Sequence, residues 1–250
     1  MTSALTHIAI LSDIHGNLTA LEAVLNDCRA RGVSRIYNLG DLVGKGPDGA
    51  AVIDLCQRAC HVNLFGNWDD LILRQETQSK TVRWNQAQLG PQRMAWLREL
   101  PTSANLLLSG RRIRLFHASE QGIWHRHYTT DKPLSMFKNT DFTGYQHPAP
   151  DVVGYGDIHT AFILPLFRPK NKTLFNAGSV GNSLDEPRAT YVILSGVLDS
   201  ENRHDPFSLQ IIRLSYDVDA VLARARMLKM PKIKELEIEL RQSIYRDNQL

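Results

Sequence analysis

The sequence predicts an α/β fold with two sheets, and three observations carry that prediction. Short apolar runs alternate with helical periodicity through the first 65 or so residues, as in a βαβαβ unit with a largely parallel sheet. From residue 104 the alternation gives way to consecutive strands, which predicts a second sheet facing the first. The loops that follow the predicted strands carry Asp, Asn and His, which places a functional site at one edge of the sheets.

The elements follow in order. "HIAIL", residues 7–11, is dense in isoleucine and reads as a buried strand. Leu18, Leu21, Leu25 and Cys28 recur at helical spacing and predict a helix over 18–31. "RIYNL", 35–39, is a second strand, followed by the glycine-rich loop "GDLVGKGPDG", a helix over 49–59 and a third strand, "HVNLF", over 61–65. Residues 79–90 and 91–100 read as two helices, the second opened by Pro91 in its first turn. "ANLLLSGRRIRLFHAS", 104–119, has the pattern of a strand hairpin. Residues 120–150 lack periodicity and read as a long loop or small cap. Four more strands are predicted at 151–156, 172–178, 189–195 and 207–215.

From Asp217 the chain is helical, with Ile233, Leu236, Leu240 and Ile244 at three- to four-residue spacing and a break at Pro231. The expected organisation is a domain over 1–216 with a helical extension over 217–250. That extension either docks on its own domain or forms the seam of a homodimer.

Composition narrows the function classes. A chain of 250 residues with 43% apolar and 22% charged residues is that of a folded protein with a sizeable core. The net charge of +3, with no dense basic run, argues against a stable nucleic-acid partner. Cys28, Cys56 and Cys60 form neither an even disulfide set nor a CxxC and read as small buried thiols in a reducing compartment. No apolar run approaches the roughly 18 residues that span a bilayer, and "MTSALTHIAILSD" lacks the pattern of a leader. A cytoplasmic protein without membrane association is expected.

Five loops carry hard-metal character. "SDIHG" supplies Asp13 and His15, "GDLVGKG" Asp41, "GNWD" Asn67 and Asp69, "FHAS" His117, and "GYGDIHTAF" Asp157 and His159. A sixth turn, "NAGSVGN", adds Asn176 and Ser179, which with Asp69 read as supporting groups behind the ligands. If the D-x-H segments are extended, residues two apart point the same way, so Asp13 and His15 reach one ion, and Asp157 and His159 repeat the geometry. Oxygen and imidazole donors without thiolate favour Mn, Fe or Mg in an enzyme over a structural zinc. Seven candidates (Asp13, His15, Asp41, Asn67, His117, Asp157 and His159) exceed one closed site. They suit two divalent ions about 3.5–4 Å apart bridged by one carboxylate, for which Asp41 is the natural choice.

As an ordered set, D-x-H, GD-x-V-G, GN-x-D, a post-strand histidine and G-x-x-H resemble the calcineurin-like metallophosphoesterase superfamily, in its bacterial phosphodiesterase-like branch. The resemblance covers roughly residues 5–215. It implies a four-layer αββα sandwich of two mixed sheets flanked by helices, with a dinuclear site at their common edge. It assigns one ion to Asp13, His15, Asp41 and His159, and the other to Asp41, Asn67, His117 and Asp157. Catalysis is then expected of Asp41, Asn67, His117 and His159, through a metal-bridging hydroxide attacking phosphorus in line. Lys45 lies where relatives place a phosphate-contacting basic residue, although a solvated loop lysine is the alternative.

Two departures from the pattern matter. Asp157 stands where the family has histidine, which hardens the second ion's site or weakens it. Trp68 stands where phosphomonoesterases keep a histidine acid, and indole does not titrate in the useful range. Proton delivery must then come from elsewhere, or the leaving group must be a good one. By analogy with a subgroup of the family that has cysteine at that position and includes phosphodiesterases, the resemblance implies a small phosphodiester as substrate, with a dinucleoside tetraphosphatase or a protein phosphatase as the alternative. A non-catalytic metal-containing interaction domain is the reading from a different class. "GIWHRHYTTDKP" adds His125, Arg126 and His127 beside Trp124 and Tyr128, as substrate contacts or cap packing, and either histidine is a candidate for the missing acid.

Overall fold

The computed structural model describes residues 5–74, 77–139, 149–168 and 171–245. Part of the expected cap, residues 140–148, lies outside the described residues, as do 246–250 of the expected extension.

The first sheet has the order β10-β9-β1-β2-β3, from β1 (Thr6–Leu11), β2 (Arg35–Asn38), β3 (Val62–Asn63), β9 (Ala189–Gly196) and β10 (Phe207–Leu214). β1, β2 and β3 are parallel, joined by α1 (Leu18–Ala30) and α2 (Gly49–Ala59), while β9 and β10 add antiparallel strands. The second sheet has the order β4-β5-β6-β8-β7, from β4 (Ser103–Leu108), β5 (Arg111–Phe116), β6 (Val152–Tyr155), β7 (Phe162–Leu166) and β8 (Lys172–Asn176). Its three central strands β5, β6 and β8 are parallel, and β4 and β7 are antiparallel edges.

The side-chain alternation of β1 explains why an uninterrupted apolar run was needed. Ile8 and Ile10 enter the layer between the sheets with Ile113, Leu115, Phe175, Val192 and Leu194. Ala9 and Leu11 face the other way, onto Leu21, Val24, Val52 and Ile53 of α1 and α2. A strand buried on both faces cannot alternate with polar residues. The outer face of the second sheet presents Phe116, Val153, Tyr155 and Leu174 to Met136 and Phe137 of a 3₁₀ turn (Pro133–Phe137). The result is the expected arrangement of two mixed sheets flanked by helices.

Several differences from the sequence expectation have physical causes. β9 and β10 return to the first sheet instead of extending the second, because β9 pairs with β1 from Thr6↔Gly196 to Ile10↔Val192. β7 was not predicted; it contains Pro165, which an edge strand tolerates because its outer N–H positions have no partner strand. α3 (Asn67–Leu73) begins inside what read as a turn. The predicted helices 79–90 and 91–100 form one element, α4 (Lys80–Arg98), kinked at Gly90 with φ 70° ahead of Pro91. Cys28 and Cys56 are buried and Cys60 is partly buried, all as free thiols.

At the C-terminus, α5 (Val218–Met227) and α6 (Ile233–Gln242) pack together through Val221, Leu222, Ala225, Leu236 and Leu240. Trp84 of α4 joins them, its indole N–H donating to the Leu228 carbonyl. No helix among the described residues is long and apolar enough to cross a membrane.

Candidate metal centre and substrate cleft

The loops after β1 and β2 are fastened edge to edge by their own backbones. Asp13 N–H donates to the Gly40 carbonyl at 3.0 Å, His15 N–H to Asp41 at 2.8 Å, and Gly16 N–H to Leu42 at 2.8 Å. Asp13, His15, Asp41, Asp157 and His159 all have positive φ, between 51° and 63°. The D-x-H segments are therefore left-handed turns, not the extended backbone expected of them. Asp and His are among the non-glycine residues that tolerate this region, and the surrounding bonds hold them there.

Asp69, fully buried in the first turn of α3, is the keystone of this half. One carboxylate oxygen accepts the N–H groups of Asp41 (2.9 Å) and Gly66 (3.0 Å), the other those of Leu42 (3.0 Å) and Val43 (3.4 Å). Gly66 has no room for a side chain: a Cβ there would lie 2.2 Å from Asp41 Oδ1. Asp41 Oδ1 in turn accepts the Trp68 N–H at 2.8 Å.

Behind the second sheet's edge, Ser179 Oγ donates to the Asp13 carbonyl at 2.7 Å, and Asn176 Nδ2 donates to that of Gly156 at 2.6 Å. Val180 N–H reaches Ser12 O, so the turn after β8 ties the two sheets together beneath the site.

Three imidazoles present the same nitrogen inward. The Nδ1 atoms of His15, His117 and His159 lie against the carbonyls of Val43, Leu39 and Asn182, which assigns a proton to each Nδ1 and turns Nε2 toward the site as the nitrogen able to bind a metal. His15 Nε2 and His159 Nε2 lie 3.0 Å apart, and Asp13 Oδ1 is 3.8 Å and 3.3 Å from them. His117 Nε2 is 3.4 Å from Asp41 Oδ1 and 3.8 Å from Asp157 Oδ1. His117 Nε2 and Asp13 Oδ1 are buried with no hydrogen-bond partner. Asp13, His15 and His159 form one group able to hold a cation, and Asp13, Asp41 and His117 a second.

The electrostatics agree with a cation site. Burial, Lys45 and His159 hold His15 well below the ordinary histidine range, so it stays neutral. Burial raises Asp41 well above the carboxylate range, helped by Asp13 and Asp69. Asp69 is pushed up to about 6 by burial against the pull of its N–H donors. Burial opposes ionisation of Asp13 too, but His159, His117 and His15 hold its carboxyl below the usual range. Crowded buried carboxylates and inward-facing imidazole nitrogens are the donor set that a divalent cation satisfies.

Asn67 and Asp157 occupy the rim. Asn67 Nδ2 donates to Asp157 Oδ1 at 2.6 Å and to the Ile123 carbonyl at 3.3 Å. Arg126 grips both oxygens of Asp157, at 2.9 and 3.2 Å, and that pairing keeps the guanidinium charged. A cleft of about 490 Å³ opens here, lined by Asp41, Lys45, Asn67, Trp68, Arg126, Tyr128, Asp157, Ile158, His159, Leu184 and Tyr245.

Lys45 is buried, not a solvated loop lysine, and its Nζ donates to Asn182 Oδ1 at 2.8 Å. Trp68 stands edge-on to His15, ring centroids 5.7 Å apart. Neither His125 nor His127 lines the cleft: His125 is exposed, and His127 is buried against the Tyr155 ring. They are thus not placed to supply the proton that Trp68 cannot.

A family model, the calcineurin-like phosphoesterase superfamily domain, matches residues 7–197. The chain belongs to that superfamily. It is accordingly a metal-dependent phosphoester hydrolase, and the reading as a non-catalytic scaffold falls away. An uncharacterized protein of Methanocaldococcus jannaschii is 26% identical over 253 residues, covering 90% of this chain and 94% of its own. A metallophosphoesterase from Sphaerobacter thermophilus superposes with a TM-score of 0.75 at 23% identity, covering 96% of this chain and 99% of its own. A hypothetical protein from Pyrococcus horikoshii gives 0.73 at 18% identity with the same coverage. These two likenesses concern the fold.

Sequence reasoning missed Asn182, Glu239, Leu184 and Tyr245, whereas Tyr128 of the aromatic cluster does line the cleft. Asn182 orients His159 through its carbonyl and Lys45 through its side chain, and it donates to the buried Glu239 of α6 at 3.1 Å. Its signal was present, since it closes the "NAGSVGN" turn. Tyr245 gave none.

Proposed function

We propose that this phosphoesterase is a dinuclear phosphodiesterase acting on a small phosphate ester. The observation that carries the reading is the pair of buried donor groups sharing Asp13, which through Asp41 and His159 reach a cleft also lined by Lys45 and Arg126. Asp13, His15, Asp41 and His159 would hold one divalent ion, and Asp41, Asn67, His117 and Asp157 the other. Oxygen and imidazole donors favour Mn, Fe or Mg over Zn. Bound there, such ions supply a nucleophile from water at neutral pH and neutralise charge developing on the phosphoryl oxygens.

The chain's own groups do the rest. Asp69 fixes the Asp41 loop and Asn67 holds Asp157, so the donors are preorganised and need not rearrange during reaction. Lys45, held by Asn182, presents a cation to the phosphate. Trp68 shields the floor from bulk water and offers no proton, which favours an ester whose leaving group departs without one.

A dinucleoside polyphosphatase is the second reading, and Lys45 in the cleft wall is the observation that favours it. Parallel rates on a diester, a monoester and a dinucleoside polyphosphate, with Mn(II) added, separate the two. The diester should be fastest. A monoester rate tenfold above the diester rate refutes the proposal.

A further inference from the structure

The metal cleft does not end at Tyr245. A second cavity of about 430 Å³ shares Tyr128, Ile158, Leu184 and Tyr245 with it and continues along Ser243 and Ile244. Its size falls in the range of small-molecule sites. The two cavities differ in chemistry. The first contains Asp41, Asp157, Lys45 and Arg126, whereas no Asp, Glu, Lys or Arg among the described residues lines the second. Two tyrosine side chains border it, and the buried Ser243 hydroxyl has no hydrogen-bond partner among the described residues.

The wall is held in place from within the site. α6 ends at Ser243, whose left-handed φ of 55° turns the chain back over the cleft. Glu239, buried one turn earlier, bonds Asn182, the residue that orients His159 and Lys45. Tyr245 lies over Lys45, its ring centre 5.1 Å from Nζ. The C-terminal segment is thus fastened to the same residues that position the phosphate-binding groups.

We propose that the groove between Tyr128 and Tyr245 is a subsite for an uncharged, planar organic group esterified to the phosphate. This rests on the phosphodiesterase reading for where the phosphate sits. A charged group would find no counter-ion among the described residues there, while a ring meets two tyrosine side chains. An aryl alcohol and a nucleoside share that chemistry.

The test uses the full-length, Mn(II)-loaded protein and three monoesters of methylphosphonic acid: ethyl, phenyl and thymidine-5′. All carry one negative charge and differ only in the ester group. Calorimetry should show at least one ringed ester binding more tightly than the ethyl ester by roughly tenfold, the size of a lost ring stack. A wider margin for thymidine assigns the nucleoside, and a wider margin for phenyl the aryl group. Tyr245→Ala should erase the margin by weakening the ringed esters at least fivefold more than the ethyl ester, and Tyr245→Phe should keep it. Tyr128→Ala, at the other tyrosine lining the groove, repeats the test if Tyr245→Ala does not fold.

Equal affinities in the unmutated protein, or parallel loss of ringed and ethyl esters in the variants, overturn the subsite. Absence of diester turnover with the ring margin intact would refute the phosphodiesterase reading instead and leave the groove standing.

Discussion

The floor and the wall of the cleft are built on opposite principles. The floor is buried and over-determined: five left-handed turn residues, a backbone ladder between two loops, and Asp69 gathering four N–H groups. The wall, from Arg126, Tyr128 and Tyr245, comes from sequence-distant segments and is exposed or half-exposed. The floor fixes what reaction is possible, because charge stabilisation needs donors that do not relax. On the proposed reading the wall selects the ester, and changes there should leave the reaction type alone.

The largest effect should follow a change to Asp41, the carboxylate proposed to bridge the two ions. Asp41→Asn should lower kcat on the order of 10³-fold or more with the circular dichroism spectrum unchanged. Activity persisting with the bound metal unchanged would remove Asp41 from its bridging role.

Asp69→Asn keeps shape and replaces an acceptor oxygen with a donor facing two backbone N–H groups. Thermal unfolding should show a loss of about 2–4 kcal/mol. Metal affinity should fall with it, since Asp41 loses its anchor. A variant that keeps its melting temperature would show that the floor is less constrained than the contacts indicate.

Protons sharpen the comparison next. Burial works against a charged His117, but Asp41, Asp13, Asp157 and Asp69 outweigh it and push it up to about 9. A pKa raised above the unfolded value of 6.5 stabilises the chelated protein fully below that pH. The contribution fades as pH rises through about 9. Metal competes for the same nitrogen, so Mn(II) affinity should increase between pH 6.5 and 9, with proton release visible in buffers of different ionisation enthalpy. Affinity flat across that window would contradict the assignment of His117 to the floor.

The smallest effect belongs to the wall. The Arg126 side chain is 41% exposed, so its pair with Asp157 is worth at most about 1 kcal/mol after screening. Arg126→Gln should raise KM severalfold and leave the melting temperature nearly unchanged. A loss as large as that of Asp41→Asn would place Arg126 in the floor.

The same division explains what the sequence disclosed. Asp13, His15, Asp41, Asn67, His117, Asp157 and His159 each follow a strand that apolar patterning identifies, so their convergence could be read from order alone. Their backbone geometry could not, because nothing in D-x-H distinguishes an extended pair from a left-handed turn. β7 escaped because Pro165 and its part-exposed neighbours hide an edge strand. Asn182 and Tyr245 escaped for a different reason: their roles are created by tertiary contact with Lys45, 137 residues from Asn182. The histidines at 125 and 127 misled, since being clustered in sequence did not bring them to the cleft.

The central claim is that this floor holds two metal ions. Metal content measured by plasma mass spectrometry on Mn(II)-reconstituted, desalted protein tests it most directly. Two ions per chain, falling in Asp13→Ala, are predicted. One ion or none in a preparation that retains full diesterase activity would contradict the account.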